Sequence, residues 1–185
     1  PQIDADRRVL GVIRPTVEAI GSLTKTRHVG LLATVGTVNS GSYGMEIHKL
    51  WPDVQLTGVA CPMWVPLVEN YEFDSPGADY FVQKRIGEIF RADPDIDTLI
   101  LGCTHYPLLM NKIVKYIPTG VRIVTQGEYV AKSLADYLGR HPNMAAACST
   151  GSTLHCLTTE RPEKFHESAT LFMHEEAEVE KIVIE

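Results

Sequence analysis

The sequence predicts an α/β protein built on a parallel sheet. Three observations carry that reading. Short, continuous apolar runs recur along the chain, which is how strands buried on both faces read. Amphipathic helical stretches separate them, as βαβ units require. Hydrophobic residues make up 44% and charged residues 22% of the 185, a balance that supports a packed core and excludes a largely disordered chain.

The elements follow in order. Arg27–Thr34 (RHVGLLAT) reads as a buried strand and Val54–Cys61 as a second. Between them, Asn39 or Ser40 can cap a helix that buries Tyr43, Ile47 and Leu50. Ser75 followed by Pro76 is a good N-cap and first-turn pair, and the helix it opens places Ala78, Val82, Ile86 and Ile89 on one face before stopping at Pro94. Asp97–Cys103 (DTLILGC) is the clearest strand. Pro107 then opens a helix using Leu109, Ile113 and Ile117, which Pro118 and Gly120 end, and Val121–Thr125 is a fourth strand. A domain boundary falls near Thr125–Gly127. Beyond it, Glu128–Leu138 reads as a helix with Val130, Leu134 and Leu138 on one face and Gly139 as C-cap. Arg140–Gly151 reads as a loop, Ser152–Leu157 as a strand, Pro162–Met173 as a helix and Val179–Ile184 as a last strand. Glu175, Glu176, Glu178 and Glu180 form a solvated acidic face.

Composition also removes whole classes of function. With 17 Lys+Arg against 23 Asp+Glu, the formal charge is -6, which argues against a nucleic-acid binder relying on bulk positive charge. Apolar runs such as Thr98–Cys103 are too short to span a bilayer, and Pro1–Arg14 has no signal-peptide core, so no membrane partner and a cytoplasmic location are expected. The four cysteines, Cys61, Cys103, Cys148 and Cys156, form no CxxC pair, and no secretion signal favours disulfides. Gly41–Gly44 is too short for a phosphate-binding loop and no GxxxxGK[ST] pattern occurs. The chain starts at Pro1, mid-pattern, and is expected to be a piece of a longer protein.

In parallel α/β sheets, ligands bind beyond the carboxyl ends of the strands. Three strands end there in small or reactive residues: Thr34 with Val35, Gly36 and Thr37 following; Cys61; and Gly102-Cys103-Thr104-His105. Cys103 has two readings of equal weight. A thiol between a strand and a helix start meets backbone N–H groups and the positive end of a helix dipole, with His105 two residues on to exchange protons. Equally, free cysteines are commonly small buried hydrophobes. Cys61 ends a strand before Pro62 and reads as packing, as do Cys148 and Cys156. A zinc site from Cys103, His105 and Cys61 has unusual spacing and lacks an obvious fourth ligand. Glu69 ends the apolar turn Val65-Pro66-Leu67-Val68 and reads as a surface residue unless that turn folds over the strand edge. Thr34 and Thr37 can hold a carboxylate, or simply cap a helix, which is the commoner use.

Several segments resemble one family. Leu101-Gly102-Cys103-Thr104-His105-Tyr106-Pro107-Leu108-Leu109 resembles the second catalytic motif of bacterial glutamate racemases. Ala33-Thr34-Val35-Gly36-Thr37-Val38 with Ser40-Gly41-Ser42-Tyr43 is similar to the motif after that family's inter-domain crossing. Cys61-Pro62-Met63-Trp64-Val65-Pro66-Leu67-Val68-Glu69 resembles its acidic motif. Val12–Pro15 and Thr158-Thr159 followed by Pro162-Glu163-Lys164-Phe165 fit as well, so the match runs in order over nearly the whole chain.

The resemblance implies a cofactor-independent racemase with two α/β domains and two opposed cysteines, one removing the α-proton of glutamate and the other delivering a proton to the opposite face. Residues 1–126 would then be a three-layer α/β/α domain carrying the second catalytic cysteine, and 127–185 the C-terminal part of the other domain. Cys103 would be the cysteine that acts on the L-enantiomer. His105 would assist it and help bind substrate, Glu69 would orient His105, Thr104 would bind the substrate carboxylate or amine, and Thr34 and Thr37 would lie beside it. No metal is implied, the product D-glutamate would serve peptidoglycan synthesis, and a homodimer is an expectation of the resemblance. The family's other half-site, with a cysteine in a Cys-Asn-Thr setting, an Asp-Ser pair and a Tyr-Gly pair, has no counterpart in these residues, and Thr125-Gln126-Gly127 replaces the acidic residue after the fourth strand. The chain is therefore expected to hold half an active site and to be inactive alone. Aspartate or hydantoin racemase relatives, a non-catalytic carboxylate-binding module and a thiol hydrolase are the alternatives.

Overall fold

The four apolar runs form one sheet. In the computed structural model, which describes residues 9–151, 154–173 and 176–184, β1 (His28–Ala33), β2 (Gln55–Ala60), β3 (Thr98–Leu101) and β4 (Arg122–Thr125) lie in the order β2-β1-β3-β4. Every pairing is parallel, with Leu32 opposite both Val59 and Leu101, and Leu101 opposite Thr125. The two central strands are buried almost throughout, whereas β2 and β4 at the edges are only partly so. That division is why β1 and β3 are the purest apolar runs.

Parallel strands need crossovers, and here the crossovers cover both faces. On one face α1 (Ile13–Leu23) and α3 (Ser42–Leu50) press Val17, Ile20, Tyr43 and Ile47 onto Val29, Leu31, Ala33, Ile100 and Val124. On the other, α5 (Pro76–Ala92) brings Ile89 so close to Gly30 that a Cβ there would lie 3.0 Å from its Cδ1 and 2.7 Å from Leu99 Cδ1. The start of α5 is as expected: the Ser75 hydroxyl accepts from the Ala78 N–H at 3.2 Å, Pro76 stands in the first turn, and Ala78, Val82, Ile86 and Ile89 are all buried.

Several elements differ from expectation. α1 is additional. α2 (Val35–Asn39) occupies residues expected to precede a cap, and Gly41 takes the N-cap position of α3 at φ 64°, a left-handed conformation that glycine adopts without steric cost; Ser40, one residue further out, still serves the first turn, its hydroxyl accepting from Ser42 N–H at 3.2 Å. The turn before Glu69 is a helix, α4 (Trp64–Glu69). Pro107 lies within a 3-10 turn, Tyr106–Leu109, and α6 (Met110–Tyr116) begins only after it. α7 (Gln126–Arg140) starts directly from β4 and runs through Gly139, which is helical and not a C-cap, and Leu134 on the face expected to be buried is 44% exposed.

The chain divides into two compact units, residues 1–137 and 138–185. Within the second, α8 (Pro142–Ala146) replaces part of the loop expected over Arg140–Gly151. β5 (Cys156–Thr158) and β6 (Val179–Lys181) pair in parallel, joined through α9 (Pro162–Met173), a single βαβ unit with Thr158, Ala169 and Ala177 buried. The expected strand start at Ser152, the expected acidic residue Glu175 and the first eight residues of Pro1–Arg14 lie outside the described residues. Among the described residues, no helix is long and apolar enough to cross a membrane.

Candidate active site

The carboxyl ends of β1, β2 and β3 are level with one another. The ladder continues one residue past β2 and β3, through Cys61 N–H to Ala33 O and Gly102 N–H to Leu32 O of β1, both at 2.8 Å. Gly102 is the tightest point. A Cβ there would stand 2.8 Å from Leu31 Cδ1, 3.1 Å from Ala33 Cβ and 3.4 Å from Tyr43 Cε2, so only glycine lets the chain leave the sheet at this height. Cys103 is the next residue and emerges half-buried at the edge.

α4 supplies the second side of the site. Its Trp64 is fully buried edge-on against Tyr106, ring centroids 4.7 Å apart, and this contact pins α4 to the turn that follows Cys103. Glu69, the last residue of α4, is thereby carried over the strand edge, the condition under which its carboxylate can act there. It hydrogen-bonds His105 Nε2, and His105 Nδ1 lies 3.8 Å from Cys103 Sγ. Cys103, His105 and Glu69 thus stand in one hydrogen-bonded line. A carboxylate can only accept, so Nε2 carries the imidazole proton in the neutral ring and Nδ1 presents a lone pair to the thiol.

The electrostatics of the thiol do not favour a resting thiolate. Burial raises the Cys103 pKa, and the N–H groups of His105 and Tyr106, which face the sulfur and favour its charge, recover only part of that rise. The 3-10 turn begins at Tyr106 and the α-helix only at Met110, so no helix N-terminus stands directly at the sulfur. At rest Cys103 is a thiol, with a proton to give and His105 beside it to take one.

The other candidates are placed as follows. Thr34 caps α2: its hydroxyl accepts from Thr37 N–H at 3.3 Å and shares a 2.9 Å hydrogen bond with the Thr37 hydroxyl. Both stand at the end of β1, engaged with each other. Thr104 is exposed. Cys61 is 1% exposed, its thiol points back to Val59 O at 3.7 Å, burial pushes its pKa up to about 12, and the Tyr106 hydroxyl donates to its carbonyl at 3.3 Å. It is a packing residue. All four cysteines are free. Cys61, Cys103 and His105 do not gather as metal ligands; among the described residues the grouping of that kind is His28, Asp93 and Asp95, at the amino ends of the strands.

Two residues beneath the site were not anticipated as part of it. Tyr43 underlies Gly102, and its hydroxyl accepts from the Gln126 side-chain amide at 2.7 Å. Tyr43 was legible as a core residue. The signal at Gln126 was a polar side chain directly after a short strand.

No family model matches the chain. Among curated relatives, the glutamate racemase of Oceanobacillus iheyensis is 37% identical over 139 residues, covering 75% of this chain and 50% of that protein. The glutamate racemase of Streptococcus equi subsp. equi is 32% identical over 179 residues, covering 97% of this chain and 67% of that protein. Among solved structures, glutamate racemase from Francisella tularensis in complex with D-glutamate superposes with a TM-score of 0.84 at 25% identity, covering all of this chain and 66% of that one. The chain thus spans half to two thirds of the length of these proteins.

Proposed function

This chain belongs to the glutamate racemase family, and from that premise we propose that it carries one half of a two-base site that inverts the α-carbon of glutamate, with Cys103 as the acid or base of this half. The observation that carries the reading is the Cys103–His105–Glu69 line at the carboxyl edge of the sheet. The bound D-glutamate of the Francisella relative supports glutamate as the ligand class.

The chemistry follows from the protonation states. As an acid, the Cys103 thiol hands its proton to a planar carbanion formed at the α-carbon. As a base, it first passes that proton to His105 Nδ1; the resulting imidazolium is held by Glu69 through Nε2–H, and the thiolate then takes the α-proton. His105 is the residue that lets one cysteine serve in both directions. Glu69 fixes the ring so that the lone pair, not the N–H, faces sulfur. Thr34, Thr37 and Thr104 contribute hydroxyls for the substrate's carboxylate or amine.

Inversion needs a second group on the opposite face of the α-carbon. Cys61 does not supply it: its thiol is buried and turned back to its own strand. One half-site alone exchanges the α-proton and returns it to the same face. The parent reaction, in this reading, furnishes D-glutamate for peptidoglycan in the cytoplasm, with a second copy of the chain as the expected partner.

Incubation with L-glutamate in D2O, followed by chiral separation with mass detection, tests this. Deuterium incorporated into L-glutamate by the wild type, and not by Cys103→Ser, is the expected result. Deuterated D-glutamate formed at a rate comparable with full-length relatives would overturn the half-site reading. No exchange of either kind would make the edge a carboxylate-binding module.

A further inference from the structure

We propose that Tyr43 and Gln126 form a hydrogen-bonded brace beneath Gly102 that sets the height and the proton affinity of the Cys103 thiol, with Gln126 a positioning residue acting through Tyr43. The proposal rests on the reading of Cys103 as the acid or base of this site.

Three independent features converge on this brace. The first is register. Leu101 lies opposite Thr125, so the residue after Thr125 is carried level with Gly102, one residue short of the thiol. The second is packing. The Tyr43 ring, 1% exposed, is one of three side chains beneath Gly102: a Cβ at that position would lie 3.4 Å from Tyr43 Cε2, with Leu31 and Ala33 closer still, and the chain crosses this floor to present Cys103. The third is hydrogen-bond direction. The Gln126 amide donates to the Tyr43 oxygen at 2.7 Å. A phenol that accepts through its lone pair keeps its own proton free to orient. With Gln126 behind it, that proton is not consumed by the partner, and the hydroxyl dipole is available to the site.

Tyr43 and Cys103 also feel each other's charge: burial pushes Tyr43 up to about 12, the Gln126 hydrogen bond opposes this, and negative charge on Cys103 adds to it. A neutral Tyr43 is therefore the form that coexists with a thiolate. The titratable groups facing Cys103 are His105 on its own loop, Glu69 behind His105 from α4, Tyr106 below, and Tyr43 from α3. Tyr43 differs from the rest in that its partner, Gln126, comes from the end of β4, the strand beside β3.

The test reads the thiol directly. The pH dependence of Cys103 alkylation by iodoacetamide, resolved from the other cysteines by peptide mass, gives its apparent pKa without any turnover. Tyr43→Phe keeps the ring beneath Gly102 and removes the hydroxyl; Gln126→Met keeps volume and removes the donor. Each is expected to raise the Cys103 pKa by about half a unit, slowing alkylation about threefold at a pH below it. The double variant is expected to shift no further than either single one, because the two residues act through one contact. Gln126→Glu is expected to shift it more, since an ionised carboxylate accepts only, claims the Tyr43 proton and adds negative charge.

Melting temperatures are measured alongside, and a variant that loses the folded state is set aside in favour of the others. Wild-type alkylation profiles in Tyr43→Phe and Gln126→Glu, or strictly additive shifts in the double variant, would overturn the brace. Loss of glutamate exchange in the wild type would overturn the reading of the site but leave these alkylation profiles, and the brace, to be judged separately.

Discussion

Both ends of the sheet carry a histidine paired with a carboxylate, and the two pairs are built in opposite ways. His28 at the amino end and His105 at the carboxyl end have side chains equally exposed, at 28%. Their partners differ. Asp93 is 4% exposed and is bonded to His28 Nδ1 at 2.9 Å, to the Thr57 hydroxyl at 3.1 Å and to Asp95 N–H at 3.1 Å. Glu69 is 48% exposed. A buried carboxylate with converging donors fixes a loop and a charge state. A carboxylate left in water at the end of a short helix can hold a ring while the ring's other nitrogen stays free for chemistry. The comparison teaches that a His–carboxylate pair is not in itself a site. What the second ring nitrogen faces decides it, and only His105 faces a thiol.

The comparison can be broken at either end. The largest effect is expected from Cys103→Ser, which should reduce α-proton exchange by about a thousandfold or more while leaving the melting temperature nearly unchanged, as general acid–base groups at a strand edge do. An unchanged exchange rate would remove the carboxyl end from the chemistry. Next is Asp93→Ala, which strands His28 and Thr57 and should cost about 3 kcal/mol by urea titration, with exchange by the remaining folded protein unaltered. If it instead slows exchange without loss of stability, the amino end is not merely structural.

Glu69→Gln should slow exchange on the order of tenfold, the scale at which loss of a group orienting a histidine is felt. It should shift stability little, because this carboxylate is half in water. A fall in stability matching that of Asp93→Ala would erase the distinction between the two ends.

The smallest effect is one of pH. The hydrogen bond to Asp93 raises the His28 pKa, so its contribution to stability is full below about pH 6.5 and is lost as pH rises through the raised value. Burial pushes the Asp93 carboxyl up, but the bonds from His28, Asp95 and Thr57 outweigh it and hold the pKa low, so its contribution is full above about pH 3.9 and lost as pH falls below that. The stability advantage of wild type over His28→Gln should therefore be widest between those limits and narrow towards pH 9. An advantage that widens as pH rises above about 6.5 would contradict the pairing.

How far the sequence revealed all this depended on separation along the chain. β1, β3 and α5 were legible because their signals are local: continuous apolar runs, a Ser-Pro start, a four-residue stripe. Cys103 and His105 were legible together because they are two residues apart. α1 was missed because Val12, its N-cap, makes no side-chain cap bond and so gives no start signal. α4 was missed for a different reason. Pro66 lies inside it and reads as a breaker, yet it stands in the first turn, where a missing N–H costs nothing. That short helix is what brings Glu69 to a histidine 36 residues later in the chain. Gln126 and Tyr43 are 83 residues apart, and no local pattern joins them.

The parallel pairing of β1 with β3 also has a consequence for how the site comes into being. β1 must wait for β3, because α5 and all of β2 come between them in the chain. Long-range parallel pairing is slow to form. During synthesis Thr34, Cys61 and Glu69 leave the ribosome well before Cys103, and Gln126 follows last. The thiol's reactivity is therefore acquired late, by assembly, and a newly made chain passes through a period in which Cys103 is an ordinary cysteine.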